Sequence, residues 1–543
     1  MGQSGREFSH ALLAAVSRKD EVQLKSTLDG LVLAGLLFRQ GLPPHASYLF
    51  KHALVQDAAY GTLLREPRRA LHARIAETLE CQFAEIAENQ PELLARHYTE
   101  AGLIEKAAGF WGKAGQRSLE RSALVEALGQ FTRALEQAAI LPSTPALRRE
   151  EIKLRAALIH PLTHVKGYAA PETKAAVERA RLSIERAEAL GEPAEDPLLL
   201  FSILYGLWIA NCVAFNGGVV RELAEQFHAL AEKQATVVPL MVGHRLMGMS
   251  LLLTGEVAAG RAHLDRALAL YNPTEHRPLA TRFGQDVGVA ILSFRSLALW
   301  ILGYPDAALA DSHKALNLAR EIGQAATLMS ALTNTSLTLI HCGSYSMATT
   351  QLDELVALAN EKGTPYWRAR GMVLQGCLLA MTSKPLDAVK VTSSGLSAYR
   401  ATGATVLATF ALSSFLPAAH AQLGQFDDAW HHINETLALV DETNERWCEP
   451  EVYRIAGELA LMSPDHDTVK AQTYFERARS VARQQQAKSW ELRAAMSLAR
   501  LWRDQGKVRQ ARELLAPVYG WFAEGFDTRD LKEAKALLEE LAA

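Results

Sequence analysis

Few residues in this 543-residue sequence have the type and spacing that active-site chemistry requires. A phosphate-binding loop follows the pattern G-x-x-x-x-G-K-[ST], in which backbone amides and a lysine hold the phosphates. The two Gly-Lys pairs, at residues 112–113 and 506–507, lack both the upstream glycine and the following Ser or Thr. The sequence therefore predicts no P-loop, and it also lacks the H-E-x-x-H and G-x-S-x-G motifs.

Two short runs contain residue types that bind metals, D-H-D at residues 465–467 and H-H at residues 431–432. The first falls at a predicted exposed turn. The second lies on a predicted helix surface, where adjacent residues do not share a face. Cys and His residues at zinc-site spacing are absent. We therefore predict no catalytic residue, no metal site and no cofactor, and hence no enzyme.

The elements that carry these residues form a long repeat. Turn residues recur at spacings of 40, 41, 40, 42 and 40. They are Gly303, Gly343, Lys384, Gly424, His466 and Gly506, and a second series between them is Gly323, Gly363, Gly403 and Asn444. Gly and Asn tolerate the left-handed conformation just past a helix end. The pattern predicts an all-α fold, a tetratricopeptide-type α-solenoid of helix pairs.

Small residues mark the places where paired helices are expected to cross. A small side chain lets two helices approach closely, while Leu and Ile fill the groove beyond it. The positions that define the repeat, by turn or by crossing, are Ala95, Tyr98, Gly102, Ala107, Gly303, Ala308, Gly343, Gly424, Ala429, Gly506 and Ala511. We interpret them as structural residues and not as a binding site.

Five segments are predicted along the chain. They are a winged-helix-like unit (1–88), the first tetratricopeptide repeats (89–142), irregular helical repeats (143–284), regular helix pairs (285–526) and a C-terminal capping helix (527–543). One helix pair cannot bury its own apolar face, so neighbouring pairs must stack.

The first segment differs from the rest of the chain. Helices are expected at 8–16, 21–33, 55–64 and 68–87, with a hairpin from the runs at 36–38 and 48–50. This order resembles a winged-helix unit, whose recognition helix should present several Arg and Lys to DNA. Only Lys25 lies in the helix at 21–33. We therefore expect a docking or spacer unit and no nucleic-acid partner.

The composition favours a folded cytoplasmic protein. Apolar residues make up 49% of the sequence and charged residues 22%, as in folded proteins. A net charge of −3 does not indicate binding to nucleic acid or to an anionic membrane. The five cysteines are scattered, which predicts reduced thiols, and no signal peptide is visible. Uncharged runs at 198–215 and 405–423 contain polar residues and end at turns, so we predict buried helices there and not membrane spans.

Tryptophans recur through the repeats. They are Trp300, Trp367, Trp430, Trp447, Trp490, Trp502 and Trp521. Core packing is the favoured interpretation, because large aromatic residues dominate helix-pair cores. Contact with a ligand on the concave face of the solenoid is the alternative.

Several stretches resemble one family, bacterial multidomain signalling proteins with a class III adenylate/guanylate cyclase domain, a STAND-type P-loop ATPase and a C-terminal tetratricopeptide region. The stretches are GREFSHALLAAV (5–16), YLFKHALVQDAAYGTLL (48–64), LHARIAETLE (71–80), LALWILGYPDAALADSHKAL (297–316), GELALM (457–462) and LAPVYGWFAEGFDTRDLKEAKALLEEL (515–541). The resemblance extends over essentially the whole chain. The family's cyclase and ATPase domains have no counterpart here, so no catalytic residue is carried over.

The resemblance implies a non-catalytic regulatory or scaffolding module of a cyclase/ATPase signalling system. Such a module would bind protein or effector partners on its solenoid, including a cyclase/ATPase encoded upstream. Two alternatives stay open: a fragment of a STAND-like transcriptional regulator, and a truncated remnant of an adenylate cyclase. The sequence does not specify the oligomeric state.

Overall fold

The computed structural model describes residues 7–192, 196–382, 384–405 and 415–542. It confirms the all-α, tetratricopeptide-type solenoid, because helices joined by short turns follow one another along most of the described chain. Contacts divide the chain into two compact units, Met1–Ser118 with Glu126–Leu154, and Leu119–Val125 with Arg155–Ala543. The finer division into five segments stays a prediction.

The elements up to the ninth helix begin with a small mixed region. They are β1 (Glu7–Ser9), α1 (His10–Val16), α2 (Glu21–Leu33), β2 (Leu37–Gln40), β3 (Ser47–Phe50), α3 (Ala53–Gly61), α4 (Arg65–Gln82), α5 (Ala84–Asn89), α6 (Pro91–Ala101), α7 (Ile104–Glu120), α8 (Leu124–Ala138) and α9 (Pro145–Lys166).

The later helices form the long array. They are α10 (Pro171–Ala189), α11 (Leu198–Val213), α12 (Gly217–Gln234), α13 (Val237–Leu253), α14 (Val257–Leu270), α15 (Pro273–His276), a 3-10 turn (Arg277–Thr281), α16 (Val287–Ile301), α17 (Pro305–Ile322), α18 (Ala325–His341), α19 (Tyr345–Glu361), α20 (Pro365–Met381) and α21 (Pro385–Ala401). After residues 406–414 follow α22 (Leu416–Gln422), α23 (Phe426–Thr443), α24 (Glu449–Met462), α25 (Thr468–Gln484), α26 (Lys488–Asp504), α27 (Val508–Tyr519) and α28 (Arg529–Glu540).

The N-terminal region contains the predicted hairpin and one strand more. Strands pair antiparallel in the order β1-β3-β2, and Phe8 lies opposite Tyr48 with their rings 5.6 Å apart. The predicted helix start at Phe8 is therefore wrong, because Ser9 caps α1 by accepting a hydrogen bond from the Leu12 amide at 3.1 Å. The helix predicted at 68–87 is also interrupted, at Phe83, whose backbone leaves the helical region.

Within the second unit, the first helix of a pair is much more buried than the second. Fourteen of the fifteen residues of α16 are buried, whereas seven of the eighteen residues of α17 are. The same contrast separates α18 from α19. The outer helices therefore show one apolar stripe, and the inner helices are mostly apolar or small around their circumference, as enclosure demands.

The array of the second unit returns upon itself. The amide of Arg446 donates to the carbonyl of Leu253 at 2.9 Å, and the amide of Gly525 donates to Asp306 Oδ2 at 2.9 Å across 219 residues of sequence. The Ser489 hydroxyl donates to the carbonyl of Trp300 across 189 residues. Turns of early repeats thus contact turns of late repeats, and the inner helices fill the space that they enclose.

The apolar run at 198–215 forms the buried helix α11, as predicted. The run at 405–423 lies partly outside the described residues, at 406–414, and its end forms α22. Among the described residues, no helix is both long and apolar enough to cross a membrane.

Candidate functional site: a groove around Trp521

A groove of about 720 Å³ opens in the second unit where one helix meets three helix-connecting regions. We call it the Trp521 groove. It is lined by Ala258, Arg261, Ala262, Asp265, Leu302, Tyr304, Arg483, Gln486, Lys488, Glu491 and Trp521. These residues come from α14, the α16–α17 turn, the α25–α26 region and the segment between α27 and α28. Its volume falls in the range typical of small-molecule and cofactor pockets.

Two aromatic side chains, together with Leu302, Ala258 and Ala262, form the apolar part of the groove. The rings of Tyr304 and Trp521 meet edge to face with centroids 5.7 Å apart. Trp521 is 41% exposed, whereas Trp300, Trp367, Trp447 and Trp490 are all buried. Most tryptophans therefore pack in the core, and Trp521 presents a large apolar face that no core contact requires.

Gly303 makes this approach of distant turns feasible. Its φ is +93°, the left-handed region that glycine tolerates. A Cβ at this position would lie 2.6 Å from the Trp521 ring and 2.8 Å from Lys488 Cβ. Any side chain at position 303 would therefore push the α16–α17 turn away from the opposite wall of the groove.

Cations surround the aromatic pair. Lys488 Nζ lies 5.4 Å from the centroid of Trp521, and the Arg261 guanidinium lies 5.1 Å from that of Tyr304. Glu491 accepts hydrogen bonds from Lys488 Nζ and Arg483 Nε, each at 2.7 Å. Burial by itself would raise the pKa of Glu491, but these two hydrogen bonds hold it below its ordinary value. Glu491 is thus an ionised anchor that fixes two cations at the rim.

The acidic partner on the opposite wall is Asp265. It accepts a hydrogen bond from Arg295 Nη1 at 2.7 Å and lies 3.5 Å from Arg261 Nε. The groove lining therefore contains three cations, Arg261, Arg483 and Lys488, against two carboxylates. The lining combines aromatic and arginine side chains, the types that most often carry binding energy at protein interfaces.

A second cavity in the same unit, of about 230 Å³, is lined by a group of ion pairs and by apolar side chains. Glu451 accepts hydrogen bonds from Arg454 at 2.7 and 2.9 Å, and Arg493 Nε donates to Asp530 at 2.7 Å. Because these charges already satisfy one another, we interpret this cavity as a structural junction of α24, α26 and α28.

The structural repeat positions lie at turns and helix crossings. The five glycines Gly102, Gly303, Gly343, Gly424 and Gly506 all have positive φ, and Ala95, Tyr98, Ala107, Ala308, Ala429 and Ala511 are fully buried. Of these, Gly303 alone borders the Trp521 groove. They position the surface without forming it, and their assignment as the defining positions of the repeat remains a prediction.

The sequence did not single out Tyr304, Arg261, Arg483 or Lys488. Trp521 stood in the list of recurring tryptophans, but nothing in its spacing separated it from those that are buried. His466, in the D-H-D run, sits at an exposed turn where Nδ1 contacts the carbonyl of Leu461 at 2.7 Å. His431 and His432 are neighbours on α23 with ring centroids 5.7 Å apart.

No protein-family model matches the chain. An uncharacterized protein of Rhizobium meliloti is 23% identical over 437 residues, which is 79% of this chain and 41% of that protein. The chain thus spans about two fifths of the length of this curated relative.

Solved helical-repeat structures resemble the chain weakly. A Rap protein complexed with competence and sporulation factor is 12% identical, with a TM-score of 0.48 and coverage of 72% of this chain and 99% of that one. The APC/C hetero-tetramer Cut9-Hcn1 is 14% identical, with a TM-score of 0.44 and coverage of 90% of this chain and 94% of that one. A STAND protein with a tetratricopeptide repeat sensor from Pyrococcus horikoshii is 12% identical, with a TM-score of 0.30 and coverage of 99% of this chain and 63% of that one. Likeness at this level does not extend to function.

The helix pairs of this chain themselves define a tetratricopeptide-type helical-repeat protein. Proteins with this architecture present extended surfaces on which partners bind.

Proposed function

We propose that this chain is a non-catalytic regulatory and scaffolding module of a cyclase/ATPase signalling system in the cytoplasm. It would bind a protein partner in the Trp521 groove. The observation that carries this proposal is the groove itself, with an exposed tryptophan flanked by cations where distant repeats meet. The resemblance of the sequence to cyclase–ATPase proteins supports the choice of signalling system.

The lining favours an extended peptide segment with an aromatic or aliphatic anchor and a neighbouring acidic residue. The anchor would cover the exposed ring of Trp521, and removal of that apolar surface from water would stabilise the complex. The acidic residue would meet Arg483, whose side chain is 55% exposed although it already pairs with Glu491. A peptide carboxylate can share that guanidinium, because its fork presents several donors.

The test is direct binding to a purified cyclase/ATPase protein encoded beside this chain, measured by titration calorimetry. Trp521→Ala and Tyr304→Ala should each weaken binding by about 2 kcal/mol, roughly 30-fold, as expected for a central aromatic contact. Phe526→Ala is the matched control, because Phe526 is 48% exposed on the same segment but does not line the groove.

If all three variants bind the partner as tightly as the wild-type chain does, the groove is not the binding site. ATP hydrolysis or cyclic-nucleotide formation by the pure chain would contradict a non-catalytic role. Failure of the wild-type chain to bind would contradict the assignment to a cyclase/ATPase system.

A further inference from the structure

Three histidines from three successive helices meet at one place in the second unit. His228 lies on α12, His244 on α13 and His263 on α14. Each offers one ring nitrogen such that the three nitrogens lie within 4.8 Å of one another. In the described part of the chain this is the one group of three or more His, Cys, Asp or Glu side chains with that geometry.

The distances are close to those of a metal-binding triad. Nδ1 of His244 and Nδ1 of His263 are 3.0 Å apart, and the ring centroids of His228 and His244 are 4.4 Å apart. A tetrahedral site with metal–nitrogen bonds of about 2.0–2.1 Å has nitrogen–nitrogen edges of about 3.3–3.4 Å. Small rotations of partly buried imidazoles would bring the three nitrogens to these edges.

The backbone supports the cluster. Gly243 precedes His244 on α13 and packs directly against α12, where a Cβ would lie 3.0 Å from His228 Nδ1 and 3.3 Å from its Cα. The absence of a side chain at position 243 therefore leaves room for the His228 ring between the two helices. His244 and His263 then face each other across the α13–α14 contact.

Nδ1 of His244 and Nδ1 of His263 share a hydrogen bond, which a metal ion bound to both would replace. Burial, reinforced by the neighbouring His228, lowers the pKa of His244 to about 4, and burial is also the main reason that the pKa of His263 is lowered. Metals bind the neutral form of imidazole.

The surroundings of His228 suggest how it would coordinate. Its Nδ1 is buried and has no hydrogen-bond partner among the described residues, and its Nε2 lies 3.5 Å from Glu232 Oε1. An imidazole that binds a metal through one nitrogen commonly donates from the other to a carboxylate. The positive charge of Arg266, which acts on His244 and His263, would repel a bound cation. The negative charge of Glu232 acts in the opposite direction.

We propose that His228, His244 and His263 form a site for a divalent transition metal, with Zn²⁺ as the reference ion. Imidazole ligands suit Zn²⁺, Cu²⁺ and Ni²⁺. Three protein ligands leave a fourth position for water, and the bound ion would link α12, α13 and α14. No short-range spacing pattern marks this site in the sequence, because its ligands lie on three separate helices.

The first test is X-ray absorption spectroscopy of the full chain, produced without a histidine tag, stripped with chelator and reloaded with one equivalent of Zn²⁺. Three imidazole nitrogens at about 2.0–2.1 Å are expected. Two or fewer imidazoles would overturn the proposal. This measurement on the wild-type chain needs no variant and therefore does not depend on a variant's folding.

The second test is competition titration of Zn²⁺ into variants whose circular dichroism matches the wild type. Glu232→Gln should weaken binding about 10- to 100-fold, as loss of a carboxylate behind a ligand does, and His244→Ala or His263→Ala should weaken it further. The matched control is His97→Ala. His97 and His72 have their Nδ1 atoms 2.8 Å apart, but no third ligand lies near them among the described residues. Zinc affinity that survives His244→Ala but falls in His97→Ala would overturn the proposal.

Discussion

At the scale of single residues, glycine decides how closely two helices pack. Gly457 on α24 faces Phe475 on α25, and a Cβ there would lie 2.4 Å from Phe475 Cε1. Phe475 is fully buried, so its ring has little room to move. The sequence shows that a small residue recurs at such crossings, but it does not give the distance that makes a methyl group too large.

We predict that Gly457→Ala destabilises the protein by about 1–3 kcal/mol, the usual cost of overpacking a core. Gly129→Ala is the matched control, because Gly129 is also helical and a Cβ there meets no atom within 4 Å. That substitution should stabilise by about 0.5–1 kcal/mol, since alanine favours the helix. Urea unfolding measures both, and stabilisation by Gly457→Ala would contradict the packing argument.

At the scale of elements, a buried ion network joins α24, α26 and α28. Glu451 is 4% exposed and pairs with Arg454, and Arg493 links it to Asp530 on the last helix. Burial alone would raise the pKa of Glu451, but the charges and hydrogen bonds of Arg454 and Arg493 hold it below its ordinary value. The carboxylate therefore stabilises the fold above its unfolded pKa of about 4.3. That contribution is lost as the pH falls through the lower folded pKa.

We predict that Glu451→Gln lowers the free energy of unfolding at pH 7 by about 1.5–3 kcal/mol, the usual contribution of hydrogen bonds to charged groups. Two arginines lose one carboxylate partner each, while Arg454 keeps Glu458 and Arg493 keeps Asp530. The difference from wild type should shrink as the pH falls below about 4. Denaturant titrations at several pH values measure it. Glu513→Gln is the control, since the Arg509–Glu513 pair is exposed and should contribute little. An equal effect of the two substitutions would be evidence against the network.

At the scale of the second unit, the array is held closed by contacts between turns that lie far apart in sequence. Asp306, at the start of α17, accepts the hydrogen bond from the Gly525 amide, and Glu524 Oε1 accepts one from the Ala307 amide at 3.0 Å. These contacts bring Trp521 to Tyr304, so the groove depends on closure of the array. An open solenoid of the same helix pairs would separate these two residues.

We predict that Asp306→Ala speeds hydrogen exchange of amides in residues 520–540 about five-fold, since one hydrogen bond contributes about 1 kcal/mol. Amides of α12 should be unaffected. Asp504→Ala is the control, because Asp504 is exposed and pairs with its neighbour Arg503. Unchanged exchange near residue 525, or an equal change in α12, would show that closure does not rest on this contact.

The sequence by itself determined the helix pairs, because the same short pattern of turn glycines and small helix residues recurs in each repeat. Positive φ at Gly303, Gly343, Gly424 and Gly506, and burial of Ala308, Ala429 and Ala511, follow from that pattern. It also excluded a P-loop, because that motif is a short contiguous pattern. Where the local signal was weak, as at Phe8 and Phe83, pairing with a distant strand or a local break changed the element.

Only the tertiary structure decided which residues meet between repeats. Trp521 and Tyr304 are more than 200 residues apart in sequence, and His228, His244 and His263 lie on three different helices. The proximity of the three histidines depends on how α12, α13 and α14 are rotated against one another. The proximity of Trp521 and Tyr304 depends on the small rotation from each helix pair to the next, which accumulates along the array. That rotation is set by the fit of many side chains at every crossing, so no short stretch of sequence encodes it.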